Sequence, residues 1–114
     1  MRKIEAVIRK LKFKDVKTGL IAAGYDTFTY WAVRSVGKGS EKQTYKTEND
    51  DIKASERVQI NLMVREDKVE EVVNLIVESG QTHEVDDALI LIVDLPKVYQ
   101  IIGREKGDIK IMRI

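Results

Sequence analysis

The chain has 114 residues, 43% apolar and 34% charged, with a formal net charge of +1. That suits one globular domain, residues 1–114, with a heavily charged surface and a single core, too short for two. Cysteine is absent and His83 is the sole imidazole, so disulfides, thiolate metal sites and cysteine nucleophiles are excluded and the usual catalytic triads find no footing.

The opening Met1-Arg-Lys-Ile-Glu-Ala-Val-Ile-Arg9 is too short and too charged for a signal peptide, and no apolar run approaches the roughly 20 residues that span a bilayer. A cytoplasmic protein without membrane insertion is expected. Residues 1–38 hold nine Lys/Arg against three acids, and the remainder eleven against sixteen. Such a split suits either a solvated face or one that steers an anionic ligand or a second subunit.

In chain order, Ile4, Ala6 and Ile8 alternate with Glu5, Val7 and Arg9, which predicts a first strand. Phe13, Val16, Leu20 and Ala23 recur at helical steps, and Gly24 ends that helix. Gly19, inside it, costs about 1 kcal/mol relative to Ala and marks a close approach of another backbone. Thr27 to Val36, dense in β-branched and aromatic side chains, predicts a long second strand with Phe28, Tyr30 and Ala32 on one face and Thr29, Trp31 and Val33 on the other.

Gly37 to Ser55 then offers only Tyr45 and Ile52 as sizeable apolar side chains. It is expected to be a long exposed arm, far beyond the usual connection of about 4–6 residues. Arg57 to Val64 predicts a third strand with Val58, Ile60, Leu62 and Val64 inward. Asp67, with Glu70 three positions on, has the spacing of a capping box for a helix buried through Val69, Val72, Val73 and Ile76 and closed by Ser79-Gly80. Ala88 to Val93 is a continuous apolar run, expected to be a strand buried on both faces. Pro96 to Ile102 predicts a short helix stopped by Gly103, and Ile109 to Ile114 a final edge strand.

This order matches a split βαβ, ferredoxin-like α+β domain: a four-stranded antiparallel sheet, two helices on one face, a short C-terminal helix and strand, and the arm between strands two and three. The uncovered face keeps Val7, Met63 and either Trp31 with Val33 or Phe28 with Tyr30, which predicts self-association. The third strand lacks the aromatic residues on which an RNA-recognition module stacks bases, so no nucleic acid partner is expected. An acylphosphatase-like loop would need glycine after Arg9-Lys10-Leu11-Lys12. His83, Glu84, Asp86 and Asp87 match no strong metal-ligand spacing.

With the arm so placed, the chain resembles the PII family of signal-transduction proteins. The likeness is carried by Met1 to Arg9, by Lys12 with Asp15-Val16-Lys17 and Leu20, and by Thr29 and Val33. It continues through Val36-Gly37-Lys38-Gly39 with Lys42, Asp67 to Ile76, and Arg104-Glu105-Lys106-Gly107. It implies a homotrimer with sheets facing inward, no enzymatic activity, effectors in the clefts between subunits, and a T-loop acting on a partner protein in nitrogen metabolism. The implied ligand-binding residues are Thr29, Gly37, Lys38, Thr82, Asp87 and Lys106, with Lys42, Gln43, Tyr45, Lys46 and Thr47 in the partner-binding loop.

ATP or ADP is the ligand that the resemblance implies, with no cofactor otherwise required. Departures point elsewhere. Thr82-His83-Glu84-Val85-Asp86-Asp87-Ala88-Leu89 stands where the family reads roughly Thr-Gly-Lys-Ile-Gly-Asp-Gly-Lys, and Gln100 and Ile102 replace two arginines. Phosphate affinity rests chiefly on charge-assisted contacts. The second reading is therefore an oligomeric scaffold, or a sensor of a non-nucleotide ligand whose acidic cleft prefers a cation or a basic group.

Overall fold

The computed structural model describes residues 1–36, 44–46, 53–84 and 87–113. Strand β1 (Arg2–Arg9) passes through a 3-10 turn into α1 (Phe13–Ala22), and β2 (Thr29–Ser35), β3 (Thr44–Lys46) and β4 (Lys53–Val64) follow. A second 3-10 turn leads into α2 (Val69–Gly80), and β5 (Ala88–Asp94), β6 (Tyr99–Glu105) and β7 (Asp108–Arg113) complete the order. The main sheet runs β2-β4-β1-β5, antiparallel throughout, and β6 and β7 form a separate hairpin. This is the expected α+β, split βαβ arrangement.

Register explains which side chains the helices cover. Ile4 faces Leu62, Ala6 faces Ile60 and Ile8 faces Val58, and because side chains alternate across a strand all six share one face. Val16 and Leu20 of α1 and Val72 and Ile76 of α2 close over them, all four fully buried. Each such aliphatic side chain contributes about 1.5–3 kcal/mol. Tyr30, opposite Ile60, lies on the same side, where its ring centroid is 4.6 Å from that of Phe13.

α1 ends as Gly24 requires. Its φ of +94° is left-handed, its amide donates to Ile21 O at 3.0 Å, and the Tyr25 amide donates to Leu20 O at 2.8 Å. These two bonds are the Schellman pair, satisfying carbonyls that the helix leaves open. Gly19 meets α2 where a Cβ would stand 3.3 Å from Leu75 Cδ2, so its nearest neighbours are side chains of α2 rather than the backbone expected there.

Four sequence expectations are corrected. The arm is not loop throughout: Thr44–Lys46 pairs with Lys53–Ser55, β4 begins at Lys53, and Ser55 is fully buried. These segments hold few aliphatic residues, so no hydropathy alternation marks their pairing in the sequence. Asp67 caps nothing; it lies in the 3-10 turn before α2 and accepts from Arg65 Nη2 at 3.2 Å.

β5 is an edge strand, and within one chain Leu89, Leu91 and Ile92 are exposed. Finally, Tyr99 to Glu105 is a strand, not a helix, paired with β7. Its β-branched and aromatic run favours extended backbone. Gly103 does not stop a helix but sits in this strand at φ +134°, where the register shifts. Lys106 and Gly107, both at positive φ, make the turn, as a two-residue type I′ hairpin requires.

Candidate functional site at the arm root

β1, β4 and β5 bring three groups together at one end of the sheet's uncovered face. Arg9 and Arg57 stand directly opposite each other, and Asp87 immediately precedes β5. The Asp87 carboxylate accepts from Arg9 Nε at 2.9 Å and from the Thr82 amide at 2.8 Å, and Thr82 Oγ1 donates to it as well. Asp87 thereby closes the 82–87 loop, which passes through His83 at φ +63°.

Arg57 Nη1 donates to the Asp87 carbonyl at 3.1 Å, and its Nε to Ser55 Oγ at 3.2 Å. Ser55 Oγ makes a longer contact of 3.5 Å to Ser35 O. Both arginine side chains are buried. Burial alone would raise the Asp87 pKa, but hydrogen bonds from the Thr82 hydroxyl and amide, then Arg9, outweigh it and hold the carboxyl at about 2. The acid is therefore spent on loop and strand rather than left open to a ligand cation. Among the described residues, no group of three or more metal-ligating side chains is gathered.

Pairing places both limbs of the arm against this cluster. Ser55 pairs with Ser35 of β2 and also with Thr44 of β3. A strand residue has two edges, so β3 lies on the edge away from β2, in the lane that β1 vacates beyond Arg9. Lys10, Ala32, Val33, Arg34, Glu56 and Arg57 line a cleft of 270 Å³, with Lys10 Nζ 3.3 Å from Glu56 Oε2.

Of the residues expected from sequence, Thr82 and Asp87 are joined here. Thr29 lies apart on the uncovered face, opposite Asn61. Lys106 is carried in the turn of the β6–β7 hairpin, and among the described residues no hydrogen bond or ion pair links it to the cluster. Tyr45 and Lys46 lie in β3, opposite Ala54 and Lys53. Gly37, Lys38, Lys42, Gln43 and Thr47 lie outside the described residues.

Sequence reasoning missed Arg9, Arg57 and Ser55. Charges at strand ends read as solvated; the available signal was that Arg9 and Arg57 fall in phase with Val7 and Gln59, on the face without helices.

Fold and cluster define a split βαβ domain whose long connecting arm is rooted beside a buried charge network. The family model "Nitrogen regulatory protein P-II" matches residues 1–105. The chain is 31% identical over 102 residues to nitrogen regulatory protein P-II of Pyropia yezoensis, covering 89% of this chain and 91% of that protein. It is 31% identical over 107 residues to the protein of the same name in Synechocystis sp., covering 93% and 96%. The Arabidopsis thaliana homolog is 29% identical over 108 residues, covering 93% of this chain and 55% of the plant protein. The chain belongs to the nitrogen regulatory protein P-II family, whose members are regulatory signal-transduction proteins.

Proposed function

We propose that this chain works as a cytoplasmic, non-enzymatic homotrimer that senses a small effector between subunits and regulates a partner protein through the 37–55 arm in nitrogen metabolism. The observation that carries this reading is the sheet face left uncovered by the helices. Trp31 of β2, Met63 of β4 and Leu89 and Leu91 of β5 are exposed on it, and register puts Trp31 and Leu89 in one row through Gln59 and Val7. Its polar members are partnered within the chain, Lys3 with Glu5 at 2.8 Å and Gln59 with Asn61 at 3.2 Å. An apolar surface with internally paired polar groups suits burial against sister copies.

Thr29, Gly37, Lys38, Thr82, Asp87 and Lys106 are the residues proposed to meet the effector. Lys42, Gln43, Tyr45, Lys46 and Thr47 are proposed to meet the partner. The test is a calorimetric titration of the purified oligomer with ATP, ADP and 2-oxoglutarate. Saturable heat with any of them supports effector sensing, and none at millimolar concentration contradicts nucleotide sensing.

A second reading keeps the trimer and the arm but gives the cleft a non-nucleotide ligand, or none. It is favoured by Leu89, which occupies the position of the family's phosphate-binding lysine and projects as an exposed leucine on the open face. A trimer indifferent to all three compounds supports that reading.

A further inference from the structure

We propose that Arg57 is a positioning residue that couples the 82–87 loop to both limbs of the arm. One buried guanidinium spans the two regions, through the Asp87 carbonyl on one side and Ser55 Oγ on the other. Ser55 is the residue at which the limbs meet. Among the described residues it alone pairs with both, with Ser35 where the chain leaves for the arm and with Thr44 on its return. Its hydroxyl accepts from Arg57 and contacts Ser35 O, so the chain of contacts runs from loop to arm without a gap.

The loop end is equally constrained. Asp87 is tied to Thr82 and Arg9, so whatever displaces the loop also moves the carbonyl that Arg57 holds. A guanidinium offers its donors in a rigid planar fork, whereas an ammonium is a point charge and cannot hold two acceptors in one fixed relation. Arg57 also lines the 270 Å³ cleft formed with Lys10, residues 32–34 and Glu56. This coupling deepens the regulatory reading and rests on the arm as its working element. It is measured without ligand or partner, so its failure is distinct from a failure of effector sensing.

The test is hydrogen exchange on the full-length protein, comparing the arm-root amides of residues 44–46 and 53–55 with core amides of β1. Thr82→Val removes one donor to Asp87 and loosens the loop. In the wild-type background it is expected to speed arm-root exchange at least about fivefold, the scale of one hydrogen bond. In an Arg57→Lys background it adds less than about twofold. Core exchange in β1 reports folding, and if Arg57→Lys does not fold, Ser55→Ala breaks the same relay with the guanidinium intact. No response at the arm root in the wild type, or the same fold-change in either broken-relay background, overturns the proposal. A merely structural arginine gives the second of those results.

Discussion

Arg9 and Arg57 face each other directly across β1 and β4, both buried, with Asp87 binding one through its carboxylate and the other through its carbonyl. Like charges placed opposite in a sheet are destabilising. Asp87 offsets that repulsion, and it fixes the loop before β5 in doing so.

Replacing Asp87 with Asn keeps the shape and removes the charge. A cost of about 2 kcal/mol is expected, the scale of losing charge-assisted hydrogen bonds to a buried group. Because the folded pKa, about 2, lies below the ordinary 3.8, the carboxylate's contribution is complete above pH 3.8 and is lost as the pH falls toward 2. Urea midpoints across acid pH should therefore fall more steeply for the wild type than for Asp87→Asn. Parallel profiles would remove Asp87 from the account of acid stability.

Tyr25, placed by the end of α1, donates its hydroxyl to Glu71 of α2. That hydrogen bond, then burial, then the Glu71 charge raise its pKa to about 12. A raised pKa stabilises fully below the ordinary 10 and ceases to do so as the pH rises through 12. Ultraviolet titration of the four tyrosines should show one ionising near 12, returning toward 10 in Glu71→Gln. An unchanged titration in that variant would deny the contact.

Gly19 is a packing glycine at the crossing of α1 and α2. An added Cβ would press closely only on the flexible end of Leu75, at 3.3 Å, and meet Ser79 Cβ at an ordinary 3.9 Å, and Ala gains about 1 kcal/mol of helix propensity. Gly19→Ala should thus change stability by less than about 1 kcal/mol in either direction, whereas Gly19→Val forces the helices apart at about 1–3 kcal/mol. Thermal melts of the two variants decide it, and equal losses would place the constraint elsewhere.

Trp31 is exposed within one chain and stands on edge strand β2 of the face assigned to sister copies. Trp31→Glu should weaken assembly at least about thirtyfold, as loss of one aromatic anchor does, while leaving the fold of each chain intact by circular dichroism. Sedimentation at several concentrations measures it. Undiminished association would move the interface off this face.

Wherever one face of an element is buried, the pattern of residues made it legible: Ile4, Ala6 and Ile8, Val16 and Leu20, Val72 and Ile76 all sit where their spacing puts them. The errors share a physical cause. Thr44–Lys46 and Lys53–Ser55 pair as strands although their residues show little hydropathy alternation. Pro96 suggested a helix start, yet Tyr99 to Ile102 had the composition of a strand and found its partner across the Lys106-Gly107 turn. At the site, the family resemblance singled out Thr82 and Asp87 as ligand-binding, and the structure joins them to each other; Arg9 and Arg57 were not singled out. Their burial follows from a loop folding back on them, a tertiary event that no local pattern encodes.

If the helix-free face is closed by two further copies of the same chain, light scattering coupled to size exclusion at micromolar concentration will find a single species of three times the 13.1 kDa chain mass. A lone 13.1 kDa species would leave that face bare and overturn the proposed trimer.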